Sequence, residues 1–352
     1  MKDLPNEIVY HIVDLVDCLK TLWKLLTISQ QMSAFAIPSL YRELTFDSHS
    51  LTSTSSSSSP HIDALAKLAR TAKSNKNLRF TKSFTVFRFI SPLIEDENVD
   101  KILPFLPNLR HLSIRIPIIE PETLSLVPRH AQLTHLVIEN TAYSPELEQL
   151  LMDHPTLKII QMSGFWTADT PPLSPTALPM LHSLSCSLRV ASKLGRPSVI
   201  HLKIDNFPMD NRSTPIPNEL VREVAAVLPS VRVVDFTTPI HFPSAAALIS
   251  LLPNVVCLKL RERSVSILPS VYWQHLATSS LKAIILVVPA ASTRSNEVAQ
   301  KAFRDIENLE YLAVEAGIGS SMRYRRSLGG PIVQIIDHDW QPWEKMMASG
   351  IF

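Results

Sequence analysis

A short apolar motif recurs along this chain at a nearly constant spacing, and this repeat restricts the possible folds more than any other feature. The motif reads L-x-x-L-x-L, and the first four copies start 24 residues apart, while later spacings range from 18 to 32. A weaker pattern begins near Leu78. Internal repeats with a period of about 20 to 50 residues are typical of stacked arrays. Nine copies begin at Leu109, Leu133, Leu157, Leu181, Val199, Val231, Val255, Leu281 and Leu309.

Within each copy, apolar residues alternate with polar ones, which predicts a β-strand. Successive side chains of a strand point to opposite faces. In the first copy, Leu112 and Ile114 share one face, while His111, Ser113 and Arg115 share the other. Each copy is therefore expected to have one apolar face and one largely polar face. His111 also has the same register as His135 in the next copy, where two imidazoles could share a metal or respond to pH, although two solvated polar residues are the favoured interpretation.

The segments between the copies are typical of helices, and together with the strands they predict an α/β solenoid. Ser144 is a helix-capping residue, Pro145 occupies the first helical position, and Glu146 lies in the first turn. A strand and a helix every ~24 residues predict a curved array with a parallel sheet inside the curve. The pattern resembles the leucine-rich-repeat family over residues 105–316. The alternative is an ordinary α/β domain with several buried strands.

The first 47 residues predict helices with little interior of their own. The segment from Leu4 to Val16 has apolar residues at three- and four-residue steps, and a second helix is expected over 19–37, ending before Pro38. A helical piece of this size is marginally stable alone. Part of its apolar surface is therefore better explained as an interface with another protein.

This N-terminal segment resembles an F-box. It begins with L-P-x-E-I at Leu4 and ends with A-x-P-x-L-Y-R-x-L-x-F over 36–46, but residues 28–32 read Ile-Ser-Gln-Gln-Met instead of the usual Val-Cys-basic-basic-Trp. The resemblance implies docking on the Skp-type adaptor of a cullin–RING ubiquitin ligase. The alternative is a helical cap that covers the first repeat. The implied adaptor-binding residues are Leu4, Pro5, Ile8, Ile12, Leu25 and Ile28.

Three further segments complete the predicted organisation. Residues 48–60 form a Ser/Thr-rich linker, residues 61–104 a connecting helix and a first irregular repeat, and residues 317–352 a C-terminal cap or tail. The sequence shows no signal-peptide pattern, no apolar run long enough to span a bilayer and no paired cysteines. We therefore expect a cytoplasmic protein, a nuclear protein, or one present in both compartments.

Composition argues against several classes of function. The chain has 7 glycines in 352 residues and no G-x-G-x-x-G, G-x-x-x-x-G-K or G-x-S-x-G motif, which disfavours nucleotide enzymes and glycine-elbow hydrolases. The formal net charge is +2, too small to indicate nucleic acid or a membrane as partner. The sequence Asp337-His338-Asp339 has no accompanying nucleophile motif. We therefore expect no catalysis, no cofactor and no metal.

The sequence as a whole favours a substrate-recognition subunit of a cullin–RING ubiquitin ligase. In this hypothesis the N-terminal segment binds the adaptor and the polar face of the repeats binds a protein substrate. The alternative is a non-ligase repeat scaffold for protein–protein interaction. The wider predicted surface includes His111, Gln161, Lys203, Asp205, Asp235 and Glu315. The residues predicted to bind the substrate are Arg115, His135, Glu139, Lys259, Arg261 and Tyr311.

Overall fold

A computed structural model of the chain shows two compact units. The first comprises Met1–Phe165 with Thr176–Met180, and the second comprises Trp166–Pro175 with Leu181–Phe352. The residues that the structure describes are 6–16, 18–47, 60–87, 96–117, 119–164, 166–205, 216–238, 242–261, 273–274, 276–277, 279–288, 295–316, 320–326 and 332–335. The predicted linker up to Ser59, the tail beyond residue 335, and Leu4 and Pro5 lie outside these ranges.

The first unit begins with three helices and continues as alternating strands and helices. Its five strands pair in parallel in chain order, with His111 opposite Ser83 and His135 opposite His111. The elements are α1 (Asn6–Asp14), α2 (Leu19–Leu25), α3 (Gln30–Arg42), β1 (Glu43–Asp47), α4 (Pro60–Thr71), β2 (Ser83–Phe87), α5 (Asp96–Ile102), β3 (His111–Arg115), α6 (Pro121–Ser125), β4 (His135–Ile138), α7 (Pro145–Asp153) and β5 (Ile159–Met162).

The second unit continues the same alternation and ends in an antiparallel hairpin. Strands β6 to β11 pair in parallel in chain order, whereas β12 pairs antiparallel with β11, and β13 with β12. The elements are β6 (Ser183–Cys186), α8 (Leu188–Leu194), β7 (His201–Ile204), α9 (Asn218–Val227), β8 (Val233–Phe236), α10 (Phe242–Leu251), β9 (Cys257–Arg261), β10 (Ala283–Val288), α11 (Ser295–Asp305), β11 (Tyr311–Ala316), β12 (Ser320–Arg326) and β13 (Ile332–Ile335).

Each predicted motif forms a strand whose apolar face lies in the core. In all nine copies the strand begins two residues after the first residue of the motif, and that first residue has no exposed surface. The alternate apolar residues, such as Leu112 and Ile114, are also fully buried. Burying one such side chain contributes about 1.5–3 kcal/mol. The repeated strand–helix array with a parallel sheet is therefore a leucine-rich-repeat-like α/β fold.

The N-terminal segment differs from the prediction in two places. The expected helix over 19–37 is two helices, because Ser29 accepts a hydrogen bond from the Met32 N–H at 3.1 Å and starts α3 there. Pro38 lies inside α3, which continues to Arg42. Proline removes one backbone donor and strains the helix, but the remaining hydrogen bonds of this 13-residue helix persist. Residues 43–47 then form strand β1 and do not continue the helical segment.

The three N-terminal helices share a small apolar cluster. Val13, Leu22 and Ala36 are buried at its centre, one from each helix. Arg42 on α3 also pairs with Asp14 on α1, with 2.8 Å between Nη1 and Oδ1. In the part of the chain that the structure describes, no helix has the length and apolar character needed to cross a bilayer. The residues packed around the cluster centre are Val9, Val16, Leu25, Leu26, Met32, Phe35 and Leu40.

Candidate interaction surfaces

Helix α1 and the residue directly after it, Leu15, carry an apolar stripe that is exposed in the described part of the chain. Ile8, Ile12 and Leu15 are spaced four and three residues apart, so they lie on one side of the helix. Their exposed fractions are 45%, 53% and 80%. We call these three residues the exposed stripe. Trp23 on α2 and Ile28 after it are also well exposed, at 64% and 65%.

A second stripe on the same helix makes the exposed one unusual. Val9, Val13 and Val16 have the same spacing and pack into the N-terminal apolar cluster. One stripe is sufficient for a surface helix to pack on its neighbours. The exposed stripe is therefore additional to the one that packs in the apolar cluster of the three helices. Contiguous exposed apolar surface is a feature of many protein-interaction sites, which makes the exposed stripe a candidate for one.

The structure divides the residues predicted to bind the adaptor into three groups. Ile8, Ile12 and Ile28 are exposed. Leu25 packs against the apolar cluster, so its main role in this structure is internal packing. Leu4 and Pro5 lie outside the described residues. Sequence spacing alone did not separate the two stripes of α1, because both have the same period.

The second surface is the sheet face opposite the apolar core, formed by the first, third and fifth residues of the strands. We call it the open face and describe it separately in each unit. In the first unit, Arg115 Nε lies 3.7 Å from Glu139 Oε1, and the Arg115 guanidinium lies 4.8 Å from the centre of the Phe87 ring. The contacts fix the orientation of Arg115. Arg115 is therefore held by contacts within the protein and remains partly exposed on the open face.

The rings of His111 and His135 lie next to each other on this face in a tilted arrangement, as their shared register predicts. Their ring centroids are 5.4 Å apart, with 35° between the ring planes. Burial is the main cause that lowers both pKa values, and the mutual repulsion of the two rings adds to the lowering at His111. The neutral pair is thus favoured. Among the described residues, no three His, Cys, Asp or Glu side chains group to hold a metal.

The open face of the second unit has a row of alternating charges at its centre. Lys203, Asp235 and Lys259 occupy paired positions on β7, β8 and β9. Burial raises the pKa of Asp235, and the neighbouring lysines oppose that rise. Lys259 Nζ also lies 3.2 Å from Glu315 Oε2 on β11. The predicted residue Lys259 is therefore paired within the protein, whereas Arg261 is exposed.

Towards its later strands the same face carries a buried apolar patch, so it is neither polar nor open there, which corrects the expected polar character. Val287 and Tyr311 pack against this patch, and the Arg325 guanidinium lies 5.3 Å from the centre of the Tyr311 ring. The predicted binding residue Tyr311 is therefore half-buried in internal contacts. Alternation failed here because both faces of β10 are apolar. The patch residues, all at most 4% exposed, are Val233, Cys257, Ala283, Ile285 and Ala313.

A cavity in the first unit was missed entirely by the sequence analysis. It has a volume of about 330 Å³ and lies between α1, α3 and the turns that precede β2, β3 and β4. The lining residues include Arg42, Lys82 and Arg110, which are 40 and 28 positions apart in the chain. No motif joins residues at such spacings. The signal that could have found them is the basic residue directly before each of the first three strands.

The fold and surfaces define a leucine-rich-repeat-like protein with an exposed apolar stripe near its N-terminus. No protein-family model and no curated protein sequence matches the chain. One similar solved structure is a chain of the Toll–Spatzle complex of Drosophila, with 14% identity and a TM-score of 0.38, which covers 66% of this chain and 33% of that one. Another is human 5T4 (Wnt-activated inhibitory factor 1, trophoblast glycoprotein), with 12% identity, a TM-score of 0.31 and coverages of 62% and 72%.

This chain therefore spans about a third of the length of the Toll–Spatzle chain that it matches. Identities and TM-scores of this size are too low to transfer a function from either protein.

Proposed function

We propose that this chain is a protein-binding scaffold that acts as the substrate-recognition subunit of a cullin–RING ubiquitin ligase. The exposed stripe of α1 docks on a Skp-type adaptor, and the open face of the repeats binds a protein substrate. The observation that carries the proposal is the second, exposed apolar stripe, which lies within the F-box-like segment. No chemical step and no cofactor belong to this function, and the protein acts in the cytoplasm, the nucleus or both.

The mechanism is proximity. Two partners held on one body meet at an effective concentration far above their concentration in solution. On the adaptor side, the energy comes from burying Ile8, Ile12 and Leu15, at about 25 cal/mol for each Å² of apolar surface removed from water. On the substrate side, the partly exposed Arg115 and the exposed Arg261 are the proposed anchors, because arginine is enriched among residues that dominate binding energy.

The test compares adaptor binding by the wild-type chain and by Ile12→Glu. Glutamate at this exposed position leaves the apolar cluster intact but places a charge in the centre of the proposed contact. We expect the affinity for purified Skp-type adaptor to fall by roughly tenfold or more, which corresponds to about 1.4 kcal/mol. Isothermal titration calorimetry gives the affinity, and thermal melts check the fold.

The matched control is Met152→Glu, which introduces the same charge at a residue of α7 that is 47% exposed. This control is expected to bind the adaptor as the wild type does. The ligase proposal would be overturned if the wild-type chain had no measurable affinity for the adaptor. It would also be overturned if Ile12→Glu and Met152→Glu bound the adaptor with the same affinity. The stripe would then belong to a scaffold that acts outside any ligase, which is the second candidate function because the fold and the open face alone support it.

A further inference from the structure

The cavity in the first unit is lined by an excess of positive charge. Four cationic side chains, Arg42, Arg79, Lys82 and Arg110, line it, against one carboxylate, Asp14. The formal charge of the lining is therefore +3 with neutral histidine. The cavity volume of about 330 Å³ lies in the range of about 300–1,000 Å³ that is typical of small-molecule sites.

The sheet itself holds three of these cations side by side. Arg42, Lys82 and Arg110 directly precede β1, β2 and β3. The Lys82 N–H donates to the Arg42 carbonyl at 2.9 Å, and the Arg110 N–H donates to the Lys82 carbonyl at 2.8 Å. Neighbouring strands are ~4.8 Å apart, so the backbone fixes the three residues in a row at this spacing. Like charges at adjacent positions repel each other, which favours an anion between them.

The described residues neutralise only one member of this row. Arg42 pairs with Asp14 at 2.8 Å. Neither Lys82 nor Arg110 forms an ion pair with any residue that the structure describes. The Arg79 guanidinium carbon lies over the Phe80 ring, 4.8 Å from its centre, a cation–π contact that leaves the charge of Arg79 unpaired by any carboxylate among the described residues. The lining thus offers several cationic donors from fixed backbone positions.

We propose that this cavity binds a small anion that carries two or more phosphate groups. Arginine forks and lysine ammonium groups are the side chains that bind phosphate oxygens best. One phosphate monoester carries about −1.5 to −2 charges at neutral pH, so a lining of +3 is matched only by more than one group. Arg79, Lys82 and Arg110 are exposed, so the site is open to solvent and accessible to such a ligand.

This site is independent of the proposed adaptor contact. Tyr10 and Asp14, four residues apart, form the side of α1 that lines the cavity. The exposed stripe of Ile8, Ile12 and Leu15 lies on the opposite side of the same helix, given 100° of rotation per residue. A ligand in the cavity therefore does not compete with a protein docked on the stripe. Failure of one proposal leaves the other intact.

The test measures binding of inorganic tripolyphosphate and orthophosphate to the full chain by isothermal titration calorimetry. We expect tripolyphosphate to bind with a Kd roughly tenfold or more below that of orthophosphate, and to weaken as salt is raised. Lys82→Gln/Arg110→Gln is expected to weaken tripolyphosphate binding by at least about tenfold. Lys158→Gln/Arg304→Gln removes one lysine and one arginine charge from exposed positions outside the cavity and is expected to leave it unchanged.

Two outcomes would overturn the proposal. One is the absence of tripolyphosphate binding to the wild-type chain, and the other is equal weakening by the two double variants, which would indicate general surface charge. Thermal melts establish that each variant is folded. If Lys82→Gln/Arg110→Gln does not fold, Arg79→Gln replaces it, because Arg79 is exposed and lies in a short 3-10 helix (Lys76–Phe80), outside the row of residues that precede the strands.

Discussion

Four histidines lie in surroundings that favour the neutral ring. Burial lowers the pKa values of His111, His135, His154 and His201, and His201 is lowered the most, to about 4. In the unfolded chain a histidine has a pKa near 6.5. Between about pH 6.5 and about pH 4 the unfolded chain therefore binds more protons than the folded one. Stability rises with pH in this window and is lost as the pH falls through it.

We predict that His201→Gln reduces the loss of stability in acid. At about pH 5 His201 is protonated in the unfolded chain but still neutral in the folded one, where its pKa is about 4. This difference accounts for about 2 kcal/mol of the loss in unfolding free energy between neutral pH and about pH 5. Urea unfolding followed by circular dichroism at both pH values measures this difference. The control is His182→Gln, at an exposed histidine. An unchanged pH dependence in His201→Gln would contradict the assignment.

At the scale of elements, the repeat period was sufficient to predict nine strands, whereas β2 was expected only as an irregular repeat with a weaker pattern near Leu78, and β1 was not predicted. The position of the first motif leucine is taken by Tyr41 before β1 and by the fully buried Thr81 before β2. A pattern search on leucine cannot find these copies, because the buried position is filled by side chains of other chemistry. The sequence also predicted that the second helix ends before Pro38, because proline normally ends a helix. In the structure the remaining hydrogen bonds of α3 are sufficient to continue the helix through Pro38.

The cap of α7 provides a test at this scale. Ser144 is buried and accepts a hydrogen bond from the Leu147 N–H at 3.2 Å, and Pro145 follows it at the first helical position. We predict that Ser144→Ala lowers the free energy of unfolding by about 1 kcal/mol, because the N–H loses its partner. The matched control Ser250→Ala removes an exposed hydroxyl within α10 and should cost less than about 0.5 kcal/mol. Equal effects of the two substitutions on urea unfolding would contradict the capping role.

At the scale of the whole molecule, the sequence was sufficient for the fold class but not for the sites. Alternation placed Arg115 and His135 on the open face because the strand period is regular. It could not show that Tyr311 packs against an apolar patch or that Lys259 is paired, because both contacts join different strands. Alternation could not predict the basic cavity either, because the residues that line it come from different elements. Contacts between repeats depend on register, which is set only when the chain has folded.

The three cysteines report on the folded state of the whole chain. Cys18 is exposed, and hydrogen bonds from Thr21 lower the pKa of its thiol. Cys186 and Cys257 are buried, and burial raises both pKa values, that of Cys257 to about 12. We predict that a thiol reagent modifies one cysteine rapidly in native buffer and all three in denaturant, as counted by absorbance or mass spectrometry. Rapid modification of Cys186 in native buffer would contradict its burial, and Cys18→Ser should abolish the fast phase.

The direct join between α3 and β1 has a mechanical consequence. The helix ends at Arg42 and the strand begins at Glu43, so no hinge separates the N-terminal helices from the sheet of the first unit. A protein held by α1 would therefore be carried at a fixed angle to that sheet and could not swing. In a ligase, such stiffness would restrict ubiquitin transfer to those lysines of the substrate protein that lie at a suitable position on its surface. Inserting a flexible glycine segment at this join should broaden the set of lysines that receive ubiquitin.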